Sequence, residues 1–214
     1  MKTFIFGASG HAREVFWTIK EINNVSEEKI VVSKFVVTND DLLNGESYDS
    51  IGIISESEYF EKHTDQIHNC ILAIGSSKIR SIIFNKINSE NTLFPTIIHP
   101  SVIYDKTRVK IEKGVYIGAN VTMTTDSTIQ EFVHINIAST ISHDAKIGAF
   151  TTISPSVHIA GNVTLNENVF LGINAVTIER IEICSNTIIG AGAVVTKTIK
   201  DSGTYVGIPA KKIK

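Results

Sequence analysis

From Ser101 to Thr196 the apolar and polar positions follow a six-residue rhythm without a break. Cut into hexads, the segment runs SVIYDK, TRVKIE, KGVYIG and so on to AGAVVT. The fifth place is Ile, Leu, Met or Val in 14 of 16 hexads, with Asp105 and Thr177 as exceptions. The third place is Val, Ser, Thr or Ala except at Ile103 and Ile181. A helix needs apolar spacing near 3.6 and a strand near 2, so neither accounts for a period of six. A β-solenoid does: three hexads close one coil of a triangular prism, and the fifth-place aliphatics stack inside it. Residues 18 apart in sequence then lie on successive coils, and no loop juts from any coil. Past Thr196 the tail leaves the register, and Gly203, Gly207 and Pro209 predict an irregular cover.

The first hundred residues read differently. Lys2–Phe6 predicts a strand, and 12–22 a helix with Val15, Phe16, Ile19 and Ile22 on one face. Further strands are expected over 30–37, 51–54 and 70–74. Ser55 is placed to cap a helix running toward Lys62, and another helix is expected over 78–87. Strands alternating with helices predict a small parallel α/β domain. The chain therefore divides into residues 1–96, an α/β domain, and 97–214, a β-solenoid ending in the irregular tail. The join falls between Phe94-Pro95 and His99-Pro100.

Composition narrows the function. The chain has 214 residues and a formal charge of −2, without the basic excess of a nucleic-acid binder. It has no run of about 18 apolar residues and no leader pattern ahead of Phe4-Ile5-Phe6, so a cytoplasmic protein is expected. Cys70 and Cys184 lie far apart without metal-type spacing and read as small hydrophobes.

Two features carry candidate chemistry. Gly7-Ala8-Ser9-Gly10-His11 links the first strand to the first helix, and Gly75-Ser76-Ser77 follows a later strand. Such turns lie beyond the carboxyl ends of parallel strands, where backbone N–H groups and a helix amino terminus receive phosphate. The G-x-G-x-x-G spacing is absent, so a pyrophosphate ligand smaller than a dinucleotide fits better. The second feature is His143-Asp144, at a corner of the prism. A carboxylate beside a histidine orients the ring and stabilises the imidazolium, which makes a general base. His134 and His158 occupy fourth places and are expected at the surface, and His63 and His68 are expected in solvent. Stacking brings Thr125 and Gly161 next to His143, so no set of about three zinc ligands assembles within one chain, and no metal is expected. No Ser or Cys is placed beside His143 as a nucleophile.

Taken together, GASGHAREV, AIGSSKIR, ISHDAKIG, FLGINAV, IIGAGAVVTK and YVGIPAKKI resemble, over nearly the whole chain, the bacterial sugar O-/N-acetyltransferases of the sialic acid O-acetyltransferase and bacillosamine-pathway type. The resemblance implies a Rossmann-like nucleotide-sugar domain followed by a left-handed parallel β-helix of hexapeptide repeats. It also implies a homotrimer with active sites between subunits. It makes His143 the catalytic base and Asp144 its acidic partner. Ser9, Gly10, His11 and Gly75 match the turns that hold the nucleotide sugar. Ile173 and Ala191, with Gly172 and Gly190 beside them, match contacts to acetyl-CoA, and Gly161 matches the residue whose N–H faces the thioester oxygen. Thr152 stands where several relatives carry a histidine that touches the cofactor. Thr38-Asn39-Asp40-Asp41 stands near an acidic pair seen in some relatives, in an uncertain register. The implied activity is N-acetylation of a UDP- or dTDP-linked amino-dideoxy sugar for surface glycan synthesis. The alternatives are O-acetylation of sialic acid or another sugar, and a non-catalytic scaffold.

Overall fold

A computed structural model describes residues 1–39, 41 and 47–214. It divides into two compact units, one of residues 1–75 and 79–95, the other of 76–78 and 96–214.

The first unit is a six-stranded sheet in the order β3-β4-β2-β1-β5-β6. Its strands are β1 (Lys2–Phe6), β2 (Val31–Val37), β3 (Ser47–Tyr48), β4 (Ile51–Ser55), β5 (His68–Leu72) and β6 (Thr92–Leu93), with helices α1 (Gly10–Val25), α2 (Glu56–Lys62) and α3 (Ser77–Ile87). All pairs are parallel except β3 with β4. β1 lies between β2 and β5 and is buried from Thr3 to Phe6, as a strand covered on both faces should be. α1 starts two residues earlier than its apolar face, at Gly10, and buries Ala12, Val15, Phe16 and Ile19, while Ile22 is half-buried. Ser55 caps α2, its hydroxyl accepting from the Glu58 N–H at 3.1 Å. His68 departs from expectation. It is buried, accepting from the Tyr59 hydroxyl at 2.6 Å and donating through Nδ1 to the Gln66 carbonyl at 2.7 Å. The aromatic cluster of Phe4 and Tyr59 packs edge-on against it. Burial pushes the neighbouring Cys70 thiol up to about 12, so it holds its proton.

The second unit is the prism, a left-handed parallel β-helix. Two-residue strands recur every six residues and pair in parallel at a spacing of 18, as Tyr116 with His134 and Thr140 with His158 show. The first face runs through Ile97, Tyr116, His134, Thr152, Phe170 and Ile188, and the second through Ile103, Thr122, Thr140, His158, Val176 and Val194. The third runs through Lys110, Thr128, Lys146, Thr164 and Glu182. Third- and fifth-place side chains form one continuous core from Val109 to Ile199, with most members fully buried. Ile135 lies fully inside it, and Ile135→Ala should cost about 2–5 kcal/mol through lost contacts and a residual cavity. A lowered urea midpoint checks this, and a loss below 1 kcal/mol would show that the coils collapse around the gap.

The corners follow a rule that the apolar pattern does not reveal. Every second place from Asn120 to Asn186 has φ between 56° and 59°. Seven of these twelve residues are Asn or Asp, the types that tolerate the left-handed region best.

The tail is more regular than expected. Ile199 bridges to Ile183, and Thr204–Val206 adds a parallel strand to the first face. Lys211–Lys212 then returns antiparallel. Ile199 and Tyr205 supply apolar groups to the core cluster, which lets the chain follow the prism beyond the end of the six-residue register. Among the described residues, no helix is long and apolar enough to cross a membrane.

Candidate active site

His143 and Asp144 sit at the corner between the second and third faces, between the strands Thr140–Ile141 and Lys146–Ile147. Asp144 holds the left-handed second place at φ 59°, and this sharp bend brings its carboxylate back to the preceding ring. Nδ1 of His143 lies 2.8 Å from Oδ2 of Asp144, and both side chains are more than half exposed. A carboxylate only accepts, so Nδ1 carries the proton and donates to it, which leaves Nε2 as the ring nitrogen with a lone pair.

The coils before and after hold this corner. The Asp144 N–H donates to the Thr125 carbonyl at 3.2 Å, and the Asn162 N–H donates to the His143 carbonyl at 2.9 Å. Ser127, fully buried, donates its hydroxyl to the Ser142 carbonyl at 3.0 Å, immediately before His143. Sequence reasoning missed Ser127, because a third-place Ser reads as one more small core residue. In the coil after, Gly161 lies against the imidazole: a Cβ there would meet Cε1 and Nε2 of His143 at 2.6 Å. The ring rests where any other residue would place a side chain.

Gly172, Ile173, Gly190 and Ala191 share a different corner, between the first and second faces. Their coils approach closely there: a Cβ on Gly172 would meet the Ala191 nitrogen at 2.6 Å. Ile173 is 57% exposed, an apolar edge open to a ligand or to another chain. Within one chain, these residues and His143 therefore flank the second face from opposite edges. Thr152 lies on the first face and is buried, as is His134 beside it. His134, expected at the surface, packs its ring edge-on to Tyr116 at 5.7 Å. His158 is exposed, with Nδ1 2.9 Å from the Thr140 hydroxyl. Among the described residues, no group of three or more His, Cys, Asp or Glu could hold a metal.

In the first unit the two glycine turns are neighbours. β1 pairs with β5 up to Phe6 and Leu72, and the Ala73 N–H donates to the Phe6 carbonyl. Gly7 has φ 110°, and a Cβ on it would meet the Ala73 carbonyl oxygen at 2.7 Å, so only glycine fits. Ser9 is the N-cap of α1, but its hydroxyl makes no cap bond. Gly10 is the first helical residue, and the first turn of α1 has no acidic residue to offset its positive end. His11 is mostly buried, its Nδ1 3.4 Å from Glu14. Burial holds His11 below the ordinary histidine range; the Arg80 charge adds to this and Glu14 opposes it. Thr38 bonds to Asp41, and Asn39 to Ser57 at the start of α2. Asp40, part of the acidic pair considered above, lies outside the described residues.

A hexapeptide prism with a histidine–carboxylate corner, in a chain that begins with a domain carrying paired glycine turns, is the layout that the resemblance to sugar acetyltransferases implies. Comparisons with known proteins agree. A family profile described as the PglD N-terminal domain matches residues 2–87, and one described as the hexapeptide repeat of succinyl-transferase matches residues 162–197. The GDP-perosamine N-acetyltransferase of Escherichia coli O157:H7 is 32% identical over 141 residues. That match takes in 63% of this chain and 59% of the relative. Among solved structures, a GDP-perosamine N-acetyltransferase from Caulobacter crescentus, in complex with CoA and GDP-perosamine, matches with a TM-score of 0.89 at 26% identity. The match covers 99% of this chain and 96% of that one. The acetyltransferase domain of PglB from Neisseria gonorrhoeae matches with a TM-score of 0.86 at 26% identity, covering 99% of each chain. The chain thus carries a PglD-type amino-terminal domain and a stretch of hexapeptide repeats, and along nearly its whole length it is similar to bacterial sugar acetyltransferases.

Proposed function

We propose that the protein transfers an acetyl group from acetyl-CoA to the amine of a nucleotide-linked amino sugar. The observation that carries this reading is the His143–Asp144 corner, where Nδ1 is committed to the carboxylate and Nε2 is open above Gly161. The amine nitrogen attacks the thioester carbonyl and Nε2 takes its proton. The tetrahedral intermediate then expels the CoA thiolate, which recovers the proton. A backbone donor such as the Gly161 N–H, facing the oxyanion, would contribute about 3 kcal/mol. No acyl-enzyme forms.

The nucleotide sugar is held at Ser9, Gly10, His11 and Gly75. Acetyl-CoA lies along the corner of Gly172, Ile173, Gly190 and Ala191. That corner and His143 lie on opposite edges of one face, which favours a homotrimer in which the corner of one prism meets the next. Relatives crystallised with GDP-perosamine favour GDP over UDP or dTDP as the carrier. Two of these relatives' structures are of variants with a histidine replaced, consistent with a histidine of functional weight there.

Thiol release from acetyl-CoA tests the reading, with GDP-, UDP- and dTDP-linked 4-amino-4,6-dideoxy sugars and free sialic acid as acceptors. Turnover with a nucleotide-linked amine, at least tenfold faster than with sialic acid, is expected. Release with sialic acid alone would establish the O-acetyltransferase alternative, and none with any acceptor would favour a scaffold.

A further inference from the structure

Two of the sixteen hexads lack an aliphatic residue at the fifth place, those of Asp105 and Thr177. Asp105 is half-buried near the start of the prism, and its carboxylate accepts from the hydroxyls of Thr107 and Thr125. Thr177 stands in the core. It is 2% exposed, in a column of fifth-place side chains with Met123, Ile141, Ile159 and Val195, all of them buried. A hydroxyl in such a column is costly unless it is bonded, and valine offers the same branched shape without it.

The bond that Thr177 makes is out of register. On the second face the N–H of a sixth place regularly donates to the fifth-place carbonyl of the next coil. Thr124 donates to Ile141, Ser142 to Ile159 and Ile178 to Val195, each at 3.0 Å. Ala160 departs from this ladder: its N–H donates to the Thr177 hydroxyl oxygen at 3.2 Å. The pairing of these two strands is reduced to one rung, His158 with Val176, where the coils on either side have two. Ala160 immediately precedes Gly161, the residue that lies against the His143 imidazole. The break in the apolar rule therefore meets a break in the ladder, one residue from the candidate oxyanion donor.

We propose that Thr177 is a positioning residue for acetyl transfer. Its buried hydroxyl holds the chain at Ale160 so that the next N–H, that of Gly161, faces the oxyanion beside the imidazole. A regular ladder bond would instead draw Ala160 onto the carbonyl of position 177 and turn the following peptide with it. Thr177 acts through the backbone and touches neither the substrate nor the ring. The inference rests on the acetyl-transfer reading above and extends it to a residue inside the prism.

Two substitutions separate the hydroxyl from the packing. Thr177→Val restores the aliphatic rule and lets Ala160 rejoin the ladder. It should melt no lower than the parent, yet its kcat should fall about tenfold, a part of the roughly 10²–10³-fold that loss of a whole oxyanion donor costs. Its KM for acetyl-CoA should change less than about twofold, because binding is left intact. Thr177→Ser keeps the hydroxyl and gives up a buried methyl group, so it should melt lower and keep turnover within about threefold of the parent. A merely structural threonine would make turnover follow stability in both variants. A crystal structure of the Thr177→Val protein should show the Ala160 N–H on the carbonyl of position 177. Thr177→Ala also lacks the hydroxyl, and its turnover is read if Thr177→Val does not fold. Parental kcat in a folded variant without the hydroxyl, or a serine variant as slow as the valine one, would overturn the role of Thr177 alone. No thiol release by the unaltered protein with any acceptor would overturn the acetyl-transfer reading and this inference with it.

Discussion

Replacing His143 with alanine should lower turnover roughly 10²-fold or more, the ordinary scale of general base catalysis, while leaving acetyl-CoA affinity nearly unchanged. The expectation follows from the corner's geometry. With Nδ1 donating to Asp144 at 2.8 Å, Nε2 is the nitrogen left to take a proton. The side chain is more than half exposed and adds little to the core, so its removal should leave the prism intact. Steady-state kinetics by thiol release, beside a thermal melt, reads both effects. Near-normal turnover in a folded variant would remove His143 from the mechanism. A loss that appears as a raised KM for acetyl-CoA would make it a binding residue.

Gly161→Ala is the second large effect, and it reaches the same chemistry without altering a titratable group. The added Cβ would meet the imidazole at 2.6 Å, nearer than side-chain carbons approach other atoms. Backbone does not block the methyl group; the ring does, and a ring can swing away. The fold should therefore survive, with stability within about 1 kcal/mol of the parent. The displaced ring loses either its bond to Asp144 or the aim of Nε2, and misplacement by about 1 Å costs on the order of 10²-fold in rate. A folded Gly161→Ala enzyme with full turnover would show that the imidazole works from another position. One that unfolds would show that the coils cannot tolerate the added methyl group.

Much of this was readable from the chain. Apolar third and fifth places repeat because each coil must fill the same triangular interior, and that requirement is written into every hexad. His143-Asp144 stood out because, within the repeat, it is the histidine followed directly by an acid at a corner. Three things were hidden, each for a physical reason. The left-handed second place is occupied by Phe132, Ala138, Phe150 and Arg180 as well as by Asn and Asp, so it has no single composition to detect. His134 and His68 are buried by packing that fourth-place and pre-strand positions do not specify. Arg80 is buried on α3 together with Ile83 and Ile87 and donates to the Ile74 carbonyl, a placement that an apolar pattern does not select for a cation.

The recurring left-handed corner has a consequence for how such a site could arise. The bend at each second place favours Asn or Asp whatever the enzyme does, and in this chain seven of the twelve corners between Asn120 and Asn186 have one. Asp144 is thus both an ordinary corner residue and the hydrogen-bond partner of His143. Only one other of these corners has an aspartate, Asp126, and its carboxylate is bonded to Arg108 at 2.7 Å. The scaffold supplies the bend of such a pair at each of these corners, and an aspartate with a histidine directly before it completes one.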